Sequence, residues 1–179
     1  MENLLKHIEL SVKQKRASQK AIFEFYSPFL YNCARKYLRS HHDIEDAVQI
    51  AWVSIFKNLS KYKHEDKFEA WIKVIVIREA WKVRSQYKQV ESITNHSDVI
   101  SLDIESELFA KMSCENILKK LENIADGPQT VFKMYVLDGY KHSEIASILN
   151  ISASTSRVHL TNARKAFKKM FVHSKVKAI

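Results

Sequence analysis

Glycine and proline are scarce in this chain, since each occurs only twice in 179 residues. Sheets with many hairpins depend on tight turns that these residues favour, so the composition argues against a β-sandwich or a β-barrel. Hydrophobic residues make up 46% of the sequence, which is enough for one or two small cores. The composition therefore predicts an all-α protein of long helices joined by short polar loops.

Cysteine is equally rare, since the chain contains only Cys33 and Cys114. They lie far apart and without metal-ligand spacing, so we expect two reduced, buried thiols, with neither a disulfide framework nor a zinc site. No apolar run approaches the roughly 20 residues that cross a bilayer. The N-terminus also lacks the continuous apolar segment of a signal peptide. We therefore expect a cytoplasmic protein with no membrane insertion.

Catalytic signatures are missing as well. The sequence contains no Gly-rich phosphate loop, no HExxH pair, no nucleophile elbow and no Cys–His cluster. His41 and His42 are adjacent, so their side chains do not converge on one metal. The nearby Glu45 and Asp46 lack a partner group typical of acid–base catalysis. We expect no enzymatic activity, no cofactor and no metal.

Positive charge dominates the chain, with 29 Lys and Arg against 20 Asp and Glu, a net charge of +9. Such a balance suits a polyanionic partner, either nucleic acid or an acidic membrane surface. The acidic residues are unevenly distributed, because residues 89–110 contain five of them and no Lys or Arg. We interpret residues 89–112 as an acidic flexible linker. It would join two small helical domains, residues 1–88 and 113–179.

The spacing of apolar residues predicts four helices in the first domain, at residues 3–16, 17–39, 43–59 and 67–88. Asp43 is the expected N-cap of the third helix. The predicted core stripe of the second helix comprises Ile22, Phe25, Phe29, Leu30, Cys33 and Tyr37. The third helix has a wide apolar face, and Glu45, Asp46 and Gln49 lie together outside it.

The second domain is predicted to have helices near residues 113–123, 128–137, 143–149 and 153–172, and the last two have the pattern of a helix-turn-helix. Asn150 tolerates a left-handed turn, and Ser152 can cap the helix that follows. That helix has a narrow packing seam, formed by Ser156, Leu160, Ala163 and Phe167. Its opposite face carries Arg157, Thr161, Arg164 and Lys168. The pattern predicts a recognition helix for a DNA major groove; an ordinary surface hairpin of two helices is the alternative.

Several segments resemble bacterial RNA polymerase sigma factors of the extracytoplasmic-function (ECF) group. DIEDAVQIAWVSIFKNL (residues 43–59) and FEAWIKVIVIREA (residues 68–80) are similar to the sigma-2 domain. GPQTVFKMYVLDGYKHSEIASILNISASTSRVHLTNAR (residues 127–164) is similar to the sigma-4 helix-turn-helix domain. The resemblance implies a transcription initiation factor that binds core RNA polymerase and directs it to specific promoters.

The resemblance also implies which partner each group of residues would bind. Core polymerase would be bound through the clamp coiled coil of its largest subunit and the flap of its second largest; the residues expected at the clamp are Glu45, Asp46, Gln49 and Ile50. The −10 promoter element would be melted and held by Tyr62, Lys63, His64, Arg78 and Lys82. The −35 element would be read by Ser154, Arg157, His159, Thr161, Asn162, Arg164 and Lys165. Members of this group are commonly held by an anti-sigma factor, which is a further implied partner.

Five positions depart from the family pattern. Ser154 and Ser156 stand where the family usually has Gly and Val. Ile50 stands where the family usually has Glu, and Arg78 and Lys82 stand where many relatives have Asn. Arg and Lys side chains can bind phosphate or recognise guanine. Whether these two residues recognise bases of the −10 element therefore stays open. Two other functions also stay open: a DNA-binding regulator that acts without polymerase, and a basic helical enzyme acting on nucleic acid. The enzyme hypothesis lacks any recognisable active-site constellation.

Overall fold

The computed structural model describes residues 2–63, 67–86, 120–121 and 123–176. These residues form two compact units, one within Met1–Val90 and the other within Glu91–Ile179. All regular elements in the described ranges are helical, which confirms the all-α prediction. The predicted linker at 89–112 lies outside the described residues, as does almost all of the helix predicted at 113–123.

The described residues of the N-terminal unit form four helices and one short 3₁₀ turn. The helices are α1 (Glu2–Val12), α2 (Arg16–Ala34), α3 (His41–Asn58) and α4 (Phe68–Gln86), and the turn at Leu59–Lys61 follows α3. The main packing is that of α3 on α4, while α2 contacts α1, α3 and α4. The largest fully buried side chains of this core are Leu30, Ile55, Leu59, Ile72, Val76 and Ile77. Each such aliphatic side chain contributes about 1.5–3 kcal/mol through its removal from water.

A polar contact inside this bundle fixes α3 against α2. Trp52 donates a hydrogen bond from Nε1 to Ser27 Oγ at 3.1 Å, so the indole N–H stays satisfied although the side chain is buried. The Trp52 ring also lies 5.1 Å from the Phe23 ring and 5.3 Å from the Phe56 ring, centroid to centroid. Trp52 therefore joins α3 to α2 through both its hydrogen bond and its ring contact with Phe23.

Four details of the predicted N-terminal unit are wrong. The first helix ends at Val12 instead of residue 16. Phe25 is 74% exposed, because α2 turns Tyr26 inward to meet the Phe68 ring at 5.1 Å. Asp43 is not the N-cap of α3; Ser40 is, since its Oγ accepts a hydrogen bond from the Asp43 N–H at 3.4 Å. The second helix ends at Ala34 instead of residue 39.

The C-terminal unit contains α5 (Asp126–Phe132), a π-helical turn (Lys133–Leu137), α6 (His142–Leu149) and α7 (Ala153–Val176). Helix α7 packs on α5 and α6. The Phe132 and Phe167 rings lie nearly parallel, 6.0 Å apart, where α5 meets α7. The predicted helix at 128–137 thus begins two residues earlier and widens into a π turn, which exposes parts of Tyr135, Val136 and Leu137.

Candidate nucleic-acid interface

Helices α6 and α7 form the predicted helix-turn-helix. Asn150 adopts the left-handed conformation, with φ 56° and ψ 48°, and the Ile151 N–H closes the turn by donating to the Ala146 carbonyl at 3.1 Å. At the start of α6, the Lys141 N–H donates to Glu144 Oε2 at 2.7 Å. The left-handed turn predicted at Asn150 is confirmed, and it sets the angle at which α7 leaves α6.

Ser152 caps α7, as the sequence predicted. Its Oγ accepts a hydrogen bond from the Thr155 N–H at 2.9 Å, and it also lies 2.6 Å from Ser154 Oγ and 2.8 Å from Thr155 Oγ1. The hydroxyl of Ser154, a predicted DNA-contacting residue, is therefore part of the cap. A side-chain cap of this kind stabilises a helix start by about 1 kcal/mol.

The inner face of α7 is the predicted seam. Its four members, Ser156, Leu160, Ala163 and Phe167, are all buried. The buried hydroxyl of Ser156 lies 2.9 Å from Nδ1 of His142 on α6, and the His142 ring stacks on Tyr135 at 4.5 Å. Sequence analysis missed His142, because its partner is 14 residues away and only the crossing of the two helices brings them together.

The outer face of α7 brings most of the predicted −35 residues together. Ser154 and Arg157 are exposed, and Thr161, Asn162, Arg164 and Lys165 are partly exposed. Lys168 lies on the same side and is exposed. One side of this helix therefore packs on α5 and α6, while the other presents amide, hydroxyl and cationic groups to the surroundings.

His159 has different surroundings from the other predicted −35 residues. Its ring is partly buried and lies against Gly127, where a Cβ atom would stand only 2.8 Å from His159 Cε1. Burial lowers the pKa of His159 below its usual value of 6.5. A side chain at residue 127 would therefore displace the His159 ring, and a DNA contact by His159 stays a prediction.

The pKa of His142 is also lowered from 6.5, first by burial and then by the positive charges of Arg157 and Arg164. A neutral imidazole can either donate or accept at Nδ1, depending on its tautomer. Both histidines packed in this helix-turn-helix therefore favour the uncharged state. The positive charge of the outer face comes from Arg and Lys instead.

The predicted polymerase-binding residues share one side of α3. Glu45, Gln49 and Ile50 are exposed, and Asp46 is partly exposed. Each carboxylate has a histidine one turn earlier: His41 Nδ1 lies 3.2 Å from Glu45, and His42 Nδ1 lies 3.1 Å from Asp46.

An apolar area adjoins these polar residues. Val53 is 66% exposed, and Ile50 and Phe23 are also exposed. We name the set Glu45, Asp46, Gln49, Ile50 and Val53 the α3 surface. Sequence analysis missed Val53, whose position one turn after Gln49 places it on the same side of the helix.

The predicted −10 residues lie on α4 and on the segment before it. Lys63 is exposed, and His64 lies outside the described residues. Tyr62 is partly buried between the Phe68 and Trp71 rings, each 5.3 Å away, and its hydroxyl accepts a hydrogen bond from the Lys67 N–H at 3.2 Å. The ring of Tyr62 therefore belongs to an aromatic cluster at the start of α4.

The two predicted cations on α4 each have an interaction within the protein. Arg78 and Lys82 are both exposed, one turn apart. The Lys82 ammonium donates to both carboxylate oxygens of Glu79, at 2.9 and 3.1 Å, and Glu79 is only 6% exposed. Sequence analysis missed Glu79, and its buried carboxylate gives Lys82 a structural contact besides any contact with DNA.

Within the described ranges, no three His, Cys, Asp or Glu side chains are grouped so that they could hold a metal. In the same ranges, no helix combines the length and the apolar character needed to cross a membrane.

Comparison with known proteins assigns both units. The family model for sigma-70 region 2 matches residues 22–87, and that for sigma-70 region 4 matches residues 114–167. The ECF RNA polymerase sigma factor SigW of Bacillus subtilis (strain 168) is 24% identical over 90% of this chain and 95% of its own length.

Two solved structures share the fold. CnrH, solved in complex with the cytosolic domain of CnrY, aligns with a TM-score of 0.53 and 15% identity over 93% of this chain and 96% of its own. The sigma factor RpoE, solved with the anti-sigma factor NepR from Bartonella quintana, has a TM-score of 0.53 and 17% identity over 85% and 95%. The two matched regions in order, with a relative aligned over nearly its whole length, show that the chain belongs to the ECF group of RNA polymerase sigma factors and acts in transcription initiation by directing the polymerase to promoters.

Proposed function

We propose that the outer face of α7 reads the −35 element in its major groove. This proposal rests on the separation of two faces on α7. The seam residues are buried, while Arg157 and its neighbours on the opposite face point outward. Arg157 can present two donors to one guanine, worth about 1–3 kcal/mol of discrimination. Lys165 and Lys168 are suited to phosphate contacts, which position a helix without reading sequence. Ser154, His159, Thr161, Asn162 and Arg164 complete the proposed −35 surface.

The α3 surface is proposed to dock on the clamp coiled coil of the largest polymerase subunit. Glu45 and Asp46 offer acceptors to basic side chains, and electrostatic complementarity of this kind favours rapid, specific association. Ile50 and Val53 add an apolar contact in place of the Glu that the family usually has at residue 50. In the C-terminal unit, the exposed part of the π-helical turn is suited to the flap of the second-largest subunit.

The segment before α4, together with Arg78 and Lys82, is proposed to melt and hold the −10 element. Tyr62, Lys63 and His64 supply ring and polar groups, and extruded bases are commonly held by both. We assign direct DNA contact to both Arg78 and Lys82, and Lys82 also bonds Glu79. In this proposal residues 1–88 form the polymerase and −10 domain, residues 89–112 the linker and residues 113–179 the −35 domain.

An anti-sigma factor is a further proposed partner. The RpoE structure was solved with the anti-sigma factor NepR, and CnrH with the cytosolic domain of CnrY. By analogy, such a protein would keep this chain from the polymerase. The chain itself is proposed to catalyse no reaction, to need no cofactor and to act in the cytoplasm, where polymerase and promoter are found.

Runoff transcription with purified core polymerase tests the main proposal. Core with this protein should give promoter-dependent transcripts that core alone does not give. If core alone transcribes the same promoters equally well, the proposal fails. A DNA-binding regulator would instead bind duplex tightly without polymerase, usually as a dimer on two half-sites, and a gel-shift assay without core separates the two functions.

The polymerase contact is tested by replacing Glu45, Asp46 and Gln49 together with Ala. This variant should lose co-purification with core while keeping its helicity. A matched control replaces Glu9 and Glu24 with Ala, because both are exposed and their removal changes the net charge by the same amount. Equal co-purification of the two variants would exclude the α3 surface as the docking site.

A further inference from the structure

A carboxylate interrupts the buried face of α4. Glu79 is only 6% exposed, and its spacing along the helix places it on the same face as the buried side chains of Ile72, Ile75, Val76 and Val83. Burial of a charged group is costly unless the group is paired and hydrogen-bonded. Glu79 therefore departs from the apolar pattern by which the rest of this face packs.

One cation compensates this carboxylate. The Lys82 ammonium donates to Glu79 Oε1 at 2.9 Å and to Oε2 at 3.1 Å, and among the described residues Glu79 has no other hydrogen-bond or ion-pair partner. The two side chains differ greatly in exposure, at 57% for Lys82 and 8% for Glu79. The pair thus joins a buried carboxylate to an ammonium group that reaches the surface.

Stability alone does not explain why a carboxylate occupies this position. Replacing a buried ion pair with apolar residues of similar size is often neutral or stabilising, whereas removing only one partner leaves a buried charge unpaired. An apolar side chain at residue 79 would also continue the buried face of α4. Departures from such a local pattern are expected at functional sites. The function of Glu79 is therefore to be found in its effect on Lys82.

The first effect of Glu79 is to fix the position of the Lys82 ammonium. A lysine side chain ordinarily moves on a flexible four-carbon stem, and ordering it on binding costs free energy. An ammonium group has three N–H donors, of which Glu79 engages two. One donor is thereby left for a ligand, and it is held in place before the ligand arrives.

The second effect concerns charge. A phosphate contact gains affinity from the net positive charge of the cation and from the counterions that it releases. The opposite charges of Glu79 and Lys82 cancel, so the pair is better suited to an uncharged acceptor on the edge of a base. Guanine and thymine present a keto oxygen there, whereas adenine and cytosine present an amino group, which is itself a donor. A single fixed donor can therefore distinguish keto bases from amino bases.

We propose that Glu79 is a positioning residue, through which Lys82 recognises a keto base, guanine or thymine, of the −10 element instead of binding phosphate. This inference rests on the proposed contact of Lys82 with the −10 element. It adds the class of base that is recognised and the buried residue on which that recognition depends.

Binding of the holoenzyme to promoters with a single-stranded −10 element tests the proposal. Each −10 position is changed to all four bases in turn, and fluorescence anisotropy gives the affinity at several salt concentrations. At one position the unaltered protein should prefer guanine or thymine about tenfold, because a hydrogen bond from a charged donor is gained. Lys82→Gln should lose this preference.

Glu79→Met should lose the same preference for a different reason. Its ammonium is no longer held in place, and its charge is no longer compensated, so it becomes available to phosphate. This variant should therefore bind all templates more tightly at low salt, with about one more counterion released on binding. Glu79→Gln retains one acceptor oxygen for Lys82 and should recover part of the preference.

Three controls separate positioning from a purely structural role. Urea unfolding followed by tryptophan fluorescence should show that Glu79→Met is at least as stable as the unaltered protein. In a protein that already carries Lys82→Gln, Glu79→Met should not change the base preference further. Glu24→Gln is the matched variant: it removes an exposed carboxylate that pairs with Lys20 at 3.6 Å on α2, and it should leave binding and preference unchanged.

Two results would overturn the inference alone. Glu79→Met might bind with the base preference intact, or Lys82→Gln might weaken binding to all four bases alike and lower the salt dependence. The second result would assign Lys82 to phosphate and leave its place in the −10 surface standing. Unchanged binding of Lys82→Gln to every template would instead remove Lys82 from that surface, so the inference would fail together with that part of the proposed function.

Discussion

His142 Nδ1 lies 2.9 Å from Ser156 Oγ, and this contact joins the two helices of the helix-turn-helix. Ser156 is fully buried, so its hydroxyl would lack any hydrogen bond without the imidazole. Stacking of His142 on Tyr135 at 4.5 Å also anchors the pair to the π-helical turn. The hydroxyl that interrupts the apolar seam of α7 is therefore a specific contact between α6 and α7.

We expect a double-mutant cycle to measure this contact. Ser156→Ala and His142→Ala should each destabilise the C-terminal unit by about 1 kcal/mol, and the double variant by less than the sum, because both single changes remove the same hydrogen bond. Hydrogen exchange at the backbone amides of Leu160 and Ala163 reports the stability of α7 directly. Strict additivity of the two losses would show that the side chains do not interact.

The lowered pKa values of His142 and His159 predict a pH dependence of stability. Folding disfavours the protonated imidazoles, so the unfolded unit binds more protons as the pH falls through the usual pKa of 6.5. The C-terminal unit should lose stability as the pH falls from 6.5 to the lowered pKa values of the folded state. Above pH 6.5, the titration of these two histidines should not change its stability. Urea unfolding followed by the NMR signals of Phe132 and Phe167, at about pH 5 and pH 8, checks this.

Variants test the cause of that pH dependence. Replacing both His142 and His159 with Gln should flatten the slope below pH 6.5. The same replacement of His41 and His42, which are exposed on α3, should leave the C-terminal unit unaffected. An unchanged slope in the first variant would mean that other groups control the response to acid.

The helix-turn-helix could be predicted from sequence because its signals are local. A left-handed Asn150, a capping Ser152 and the spacing of the seam each depend on residues within a few positions. Phe25 shows where such reasoning fails, since Phe25 and Tyr26 are neighbours and both are aromatic. Which of the two points inward depends on α4, through the contact of Tyr26 with Phe68.

The contacts that were not predicted are of two kinds, those within one helix and those between helices. The pairs His41–Glu45 and His42–Asp46 are separated by four residues on one helix, a spacing from which their contact could have been predicted. His142 and Ser156 lie on different helices, and the packing of His159 on Gly127 depends on how α5 approaches α7. Such contacts follow only from the tertiary arrangement, so composition and periodicity do not predict them.

Lys82 should have a structural role on α4 besides its proposed contact with DNA. Lys82→Gln removes the cation bonded to the buried Glu79 and should destabilise the N-terminal unit by about 1–2 kcal/mol. Lys82→Gln and Arg78→Gln should each reduce promoter melting, because both residues are proposed to contact the −10 element. All three tryptophans precede residue 82, so their fluorescence in urea reports the N-terminal unit, and permanganate footprinting reports melting. Unchanged stability in Lys82→Gln would show that its contact with Glu79 does not support the fold, and unchanged melting in either variant would remove that residue from the −10 surface.

The outer face of α7 should contain two kinds of DNA contact. Arg157→Ala should reduce the preference for the correct −35 element over a scrambled one by about 1–3 kcal/mol, because it removes a base-reading side chain. Lys168→Ala should weaken binding to both sequences alike. It should also reduce the number of counterions released on binding, which the salt dependence of the affinity measures, by about one, as expected for a phosphate contact. Both residues are exposed on the same helix, so each variant serves as the control for the other. Binding of the holoenzyme to matched and scrambled promoters at several salt concentrations measures both effects. If Arg157→Ala weakens binding to the two promoters equally, Arg157 contacts the DNA backbone and another residue reads the −35 bases.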